Sequence, residues 1–145
     1  VIVFGRADTE IANWLCSRIE VAPTRNLRCI GHVNADGKTI GVVGYDNWTG
    51  TSAQVHLAGE GIWLTREFLY HAFNFVFGQE KLNLIIAVIS SGNKQSLRFT
   101  KHMGFTELTR IVGAHPEGDL VVLELRRENC RFLEKVDGQT NSRCA

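Results

Sequence analysis

Residues 52–105 constrain the fold more than any other part of this chain, because they alternate twice between extended and helical patterns. Residues 52–58 read as a strand and 59–64 as a glycine-bearing loop. In the helix that follows, Phe68, Leu69, Ala72, Phe73, Val76 and Phe77 recur at the i, i+4, i+8 spacing of one buried stripe. The segment 82–89 contains the apolar run Leu84-Ile85-Ile86-Ala87-Val88-Ile89, bounded by Gly78 and by Ser90-Ser91-Gly92. Such a run suits a strand buried on both faces. Asn93 then opens a short second helix, which Gly104 ends.

Two strands joined through a helix are most simply parallel, with the helix packed on the sheet. Both loops and both helix starts then fall at the carboxyl edge of the strands, where open α/β sheets bind ligands. A helix start offers unpaired N–H groups and a partial positive charge, so an anion of pyrophosphate size is expected near residues 59–66. Thr65 is the expected cap of the first helix, and Arg66 can add a charge-assisted bond. Gly59 and Gly61 lack the third glycine of the dinucleotide fingerprint, since Leu64 stands there, and no Walker lysine follows.

The remaining chain reads as antiparallel. Residues 1–4 are extended. Asp8 or Thr9 caps a helix that buries Ile11, Trp14, Leu15 and Ile19 and stops before Pro23. Segments 27–33 and 39–45 form a hairpin through Ala35-Asp36-Gly37-Lys38, and Gly41 and Gly44 mark a bulge or a close backbone approach. Segments 106–112 and 118–125 are two further strands, the apolar run 120–123 suiting a central position. The expected architecture is α+β. A central mixed sheet of about seven strands runs as an antiparallel meander into a parallel β-α-β unit, flanked by three or four helices. One domain over 1–133 precedes a polar tail over 134–145.

Composition narrows the function classes. A length of 145 residues fits one domain, and a net charge of +1 gives no electrostatic case for nucleic acid. No apolar run approaches the ~20 residues of a membrane span. Cys16, Cys29, Cys130 and Cys144 form no Cys-x-x-Cys pair, and His32, His71, His102 and His115 are scattered, so no metal site is expected. Reduced thiols point to the cytoplasm. His56, between Val55 and Leu57, reads either as a structural strand histidine or as a base.

The segment from Asn93 through Ser96 to Gly104-Phe105 resembles the Asn-x-x-Ser…Gly-Phe segment of the GNAT N-acetyltransferases, in their RimJ/RimL-like branch. Residues 63–69 with Phe77, and residues 128–133, resemble a phage-encoded variant of that branch, and the similarity runs over 1–133. The resemblance implies an enzyme that moves an acetyl group from acetyl-CoA, its co-substrate, to a primary amine by direct attack in a ternary complex. The amine is that of a protein N-terminus, a lysine or a small molecule. It implies a pantetheine arm along the strand ending in Leu57 and Ala58, with the fourth and fifth strands splayed around it. The pyrophosphate lies on the amides of Gly59, Gly61, Trp63, Leu64, Thr65 and Arg66, with Asn93 and Ser96 beside it.

This chain has Glu60, Trp63 and Thr65 where the family loop has Arg/Gln, Gly and Gly/Ala, and Thr100 where many members carry a catalytic tyrosine. Ser96 is then the candidate acid for the leaving thiolate. His56 is the first candidate base and Glu60 the second, and an N–H near Leu57 or Ala58 is the candidate oxyanion donor. Acceptor recognition is expected at the early helix and the loops around Trp14, Trp48 and residues 114–118. Core packing is the competing role for Trp14. The partners implied are acetyl-CoA and the amine acceptor, with no nucleic acid and no membrane, for a monomer or homodimer in the cytoplasm, or the host cytoplasm if phage-encoded. The competing class is a non-catalytic GNAT-like module that binds CoA or a protein.

Overall fold

A computed structural model describes residues 1–133, so the tail expected over 134–145, with Cys144, lies outside the described residues. The strands are β1 (Ile2–Arg6), β2 (Arg28–Val33), β3 (Thr39–Asp46), β4 (Ser52–Gly59), β5 (Leu84–Ser90), β6 (Thr106–His115) and β7 (Gly118–Arg126). The α-helices are α1 (Glu10–Ile19), α2 (Arg66–Phe73) and α3 (Lys94–His102). The seven strands form one sheet in the order β1-β2-β3-β4-β5-β7-β6. Every neighbouring pair is antiparallel except β4 with β5, which the α2 crossover makes parallel. The expected α+β sheet, a meander leading into a parallel unit, is the observed one. The apolar run in β7 does sit inside the sheet, between β5 and β6.

The period-two alternation of the strands sends their side chains to two cores. On one face α1 buries Ile11, Ala12, Leu15 and Cys16 against Leu27, Cys29 and Val42. On the other, α2 and α3 cover Ile30, Val43, Tyr45, Val55, Ile85, Ala87 and Leu123. Tyr45 is fully enclosed there and its hydroxyl donates to Ala72 O at 2.8 Å. Burial raises its phenol well above the ordinary value, with Cys130 adding to the shift.

The β2–β3 hairpin shifts register beside Gly41: His32 pairs with Gly41 and Val33 with Thr39, so Ile40 is the extra residue of β3. Both glycines also mark close approaches: a Cβ at Gly41 would overlap the Trp63 ring, and one at Gly44 would come within 2.6 Å of Leu15 Cδ2. Two other local features differ from the expectation. The helix begun by α2 continues as a π turn over Asn74–Gln79, where Gly78 lies against the Asn74 side chain so closely that a Cβ would overlap it. The apolar stripe survives this widening, and Phe73 and Phe77 stack at 6.4 Å. β6 runs to His115, further than the 106–112 expected, with breaks in register that suit an outer edge.

The C-terminal end of α3 is tied to that edge by charge. Glu107 accepts from Arg110 Nε at 2.8 Å and pairs with Lys101 Nζ at 3.1 Å. Hydrogen bonds from Arg110 and then Lys101 hold its carboxyl down at about 2. A folded-state value below the unfolded one contributes stability that is complete above the unfolded carboxyl range of about 4.3 and is lost as the pH falls through the folded value. Wild type should therefore lead Glu107→Gln in urea midpoint near neutrality, by the small margin of an exposed pair. The lead should disappear as the pH approaches about 2. A constant difference across that range would show that the pairing carries no pH-linked stability.

Candidate active site

β4 and β5 are paired only where they begin. Ser52, Ala53 and Gln54 face Leu84, Ile85 and Ile86, and the ladder then stops although both strands continue. Two hydrogen bonds set the phase of β4. Glu60 N–H donates to Ile40 O at 2.8 Å on the β3 side, and Thr51 O accepts from Asn83 N–H at 2.8 Å on the β5 side. Successive residues of a strand turn their peptide groups to opposite sides. The peptide groups of Val55, Leu57 and Gly59 therefore face the gap. Ala58 turns its own to β3, opposite Val42. Of the two residues expected to donate to an oxyanion, Leu57 has the placement and Ala58 does not.

The gap opens into a cleft of about 640 Å³. It runs from Arg18 and Glu20 at the end of α1, past His56 and Leu57, to Ser96 and Thr100 on α3. His115 and Glu117 of the β6–β7 turn also reach it, as do Ala58, Leu64 and Asn93. Trp14 is half-buried on α1, with the Arg18 guanidinium 3.6 Å above its ring. Trp48 is elsewhere, in a separate groove of about 620 Å³ with Phe4, Arg6, Arg28 and Phe75. Its indole N–H donates to Asn26 O at 2.9 Å, so the loop around Trp48 is not part of the cleft.

The loop after β4 is shaped by Trp63. Gly41 and Gly59 are register partners on neighbouring strands, and a Cβ on either would overlap the Trp63 ring. Their missing side chains form the socket in which this ring is 6% exposed. Phe68 meets it edge-on at 5.6 Å. His32 Nδ1 donates to Trp63 O at 2.6 Å, and its ring stacks on Phe68. The indole is thus core, and only the backbone of Trp63 belongs to the loop. Gly61 takes a φ of +67°, which favours glycine, and the amides of residues 61–65 have no protein acceptor among the described residues.

Thr65 Oγ1 accepts from Phe68 N–H at 3.1 Å, the expected cap. Arg66 is exposed and in no ion pair among the described residues. Glu60 points away: it is half-exposed, pairs with Lys38 Nζ at 3.5 Å and does not line the cleft. The turn of the chain at residues 60–61 carries it to the β2–β3 hairpin, so the second candidate base is not at the site. At the start of α3, Asn93 Oδ1 accepts from Ser96 N–H at 3.1 Å. The Ser96 hydroxyl has no protein partner among the described residues and borders the cleft.

His56 is not an isolated strand histidine. Its Nε2 lies 2.8 Å from Asp46 Oδ1, and Thr24 Oγ1 donates to Asp46 Oδ2 at 3.0 Å. Asp46 is 7% exposed. Nearby, burial first, then Cys16 and Asp46, push the Cys29 thiol up to about 12, and burial and Asp46 raise Cys16 as well. The approach of Asp46 to His56 follows from β3–β4 register. Cys16 and Cys29 are free thiols. No group of three or more His, Cys, Asp or Glu that could hold a metal ion occurs among the described residues, and no helix there is long and apolar enough to cross a membrane.

No protein-family model and no curated protein matches the chain. Solved structures do. A variant of the spermidine N-acetyltransferase SpeG from Vibrio cholerae superposes with a TM-score of 0.72 at 14% identity, over 92% of this chain and 97% of that one. The ribosomal-protein-S5-alanine acetyltransferase from Vibrio fischeri gives 0.61 at 15% identity, over 83% and 69%. A protein described as a phosphinothricin N-acetyltransferase gives 0.62 at 15% identity, over 87% and 98%. The mixed seven-stranded sheet with its three helices is therefore the fold of the GNAT N-acetyltransferases.

Proposed function

We propose that this chain is an N-acetyltransferase that moves an acetyl group from acetyl-CoA to a primary amine. The observation that carries the reading is the parting of β4 from β5. It turns the peptide groups of Val55 and Leu57 into a cleft that has unpaired loop amides at one end and His56 and Ser96 along its walls.

These residues fit acetyl-CoA. An extended arm with amide groups suits strand peptide groups that have no partner strand, and phosphates suit the amides of residues 61–65 beside the start of α2. Neither departure from the family loop obstructs this, because the Trp63 ring is buried in its glycine socket and Glu60 is drawn off to Lys38. Gly59, Gly61, Leu64, Thr65 and Arg66 would hold the phosphate end, and Leu57, Asn93 and Ser96 the thioester end.

When bound, acetyl-CoA supplies a thioester carbonyl open to attack. The chain does the rest. His56 takes the proton of the amine, Leu57 N–H donates to the carbonyl oxygen as it gains charge, and Ser96 donates a proton to the leaving sulfur. Holding both substrates in one cleft supplies a large share of the rate. A protein N-terminus, a lysine and a small amine all meet the chemical requirement of a primary amine. The segment from Asn93 to Phe105 supports a place in the RimJ/RimL-like branch, and residues 63–69 with Phe77 and residues 128–133 support a phage-encoded form, which would act in the host cytoplasm as a monomer or homodimer.

Calorimetric titration of acetyl-CoA, with dephospho-CoA and acetate as controls, tests the reading. Micromolar affinity is expected, about −8 kcal/mol. It should weaken for dephospho-CoA and be absent for acetate, and thiol release should follow when amines are supplied. No binding overturns the proposal. Binding without turnover on any amine class makes the chain a CoA-binding module.

A further inference from the structure

We infer that Asp46, held by Thr24, is a positioning residue that keeps His56 in its Nε2–H tautomer and so makes Nδ1 the atom that accepts the proton of the acceptor amine. The reaction step rests on the acetyltransferase reading; the tautomer does not.

The argument starts from what an ionised carboxylate can do. It only accepts hydrogen bonds, so the 2.8 Å contact with Asp46 Oδ1 requires a proton on His56 Nε2. A neutral imidazole has one such proton, and the lone pair is then on Nδ1. Thr24 Oγ1 donates to the other carboxylate oxygen at 3.0 Å, which fixes the plane of Asp46 from its far side. The backbone provides the space. His56 stands opposite Gly44 in the β3–β4 register, and Gln54 opposite Asp46, so Asp46 and His56 are diagonal neighbours with no side chain on the residue facing the imidazole. The carboxylate side chain is 9% exposed and the imidazole 21%, so the pair is buried at the Asp46 end and open at the cleft end.

The other charged groups bordering this part of the cleft are Arg18 and Glu20 at the end of α1 and His115 and Glu117 on the β6–β7 turn. Arg18 is occupied by the Trp14 ring and by Trp14 O, and none of the four is within bonding distance of the His56 imidazole. Asp46 is thus the one charged group that bonds His56 among the described residues. In the transfer, the amine nitrogen forms its bond to the acetyl carbon as the C–S bond breaks. The proton shed by nitrogen goes to Nδ1, the sulfur takes one from the Ser96 hydroxyl, and solvent returns both side chains to their starting states.

Two readouts test this on the full chain. Long-range ¹H–¹⁵N correlation of the His56 ring should show the neutral form protonated at Nε2 and bare at Nδ1. In Asp46→Asn, whose amide can donate as well as accept, the Nδ1–H tautomer should appear. In acetylation assays kcat should fall at least about 10-fold, towards the roughly 10⁴-fold loss that the wrong tautomer causes in a Ser-His-Asp triad, while the acetyl-CoA KM stays the same. Thr24→Val keeps the carboxylate and should lose kcat several-fold, which preserves the test if Asp46→Asn fails to fold. A wild-type ring protonated at Nδ1, or Asp46→Asn and Thr24→Val with undiminished kcat, overturns the inference. A wild type with the Nε2–H tautomer and no turnover on any amine overturns the acetyltransferase reading and leaves the Asp46 assignment supported.

Discussion

Trp63→Ala is expected to destabilise the fold by about 3–5 kcal/mol, at the upper end for a single buried aromatic. The ring is 6% exposed and rests on two glycines that face each other across β3 and β4. Truncation therefore leaves a hole whose floor is bare backbone, and no side chain at Gly41 or Gly59 can lean in to close it. The edge-on contact with Phe68 is lost as well. Denaturant unfolding measures the effect, and a loss below about 1 kcal/mol would mean that the indole is not a core residue. The converse change is informative. A methyl group at Gly59 would overlap the ring, so Gly59→Ala should expel the indole and displace the loop. Both variants should weaken acetyl-CoA binding even under conditions where they are folded, because the amides of residues 61–65 depend on this anchor for their position.

His56→Ala is expected to lower kcat for amine acetylation by about 10²–10⁴-fold, the usual worth of a positioned acid–base group. The acetyl-CoA affinity should change little, because the imidazole lies on the α1 face of the sheet and the loop amides lie beyond Gly59. Comparing binding with turnover therefore separates a lost base from a damaged fold. Undiminished turnover at saturating substrate would remove His56 from the reaction. Ser96→Ala tests the other end of the proton path in the same assay, and full turnover there would end its assignment as the acid.

How far the sequence could be read depended on whether a feature is local. The β4–α2–β5–α3 unit was legible because each of its signals acts within a turn or two: the stripe from Phe68 to Phe77, the apolar run of β5, the caps at Thr65 and Asn93. From these, the parallel pairing and the single edge holding both loops follow without knowledge of distant contacts. The register between strands is not local. Gly41 and Gly59 face each other, and Asp46 lies diagonally from His56, only because the hairpin and the turn at residues 47–51 set the pairing. Periodicity does not reveal that alignment. The sequence therefore showed Trp63 only as a departure from the family's phosphate loop, although two glycines and an aromatic side chain four residues beyond the second were a usable clue. Glu60 was misplaced for a related reason. One turn of backbone decides whether it faces the cleft or Lys38. The π turn was hidden because residues 74–79 keep the helical apolar spacing through it.

The parting of β4 and β5 also bears on pairing with other chains. Unpaired strand backbone recruits other chains, and proteins ordinarily guard it at the outer edges of a sheet, as the register breaks of β6 do here. The peptide groups of Val55 and Leu57 need a different guard, because they lie in the middle of the sheet between α1 on one face and α2 and α3 on the other. An intruding polypeptide strand would have to force alternate side chains into both helical layers. A pantetheine arm carries amides and is branched only by the hydroxyl and methyl groups of its pantoyl end, so it would meet no such barrier. The slot thus excludes by thickness: its backbone is open to a slender ligand and sterically closed to a strand of a second copy of the chain, a guard that needs neither a charge nor a proline at the gap.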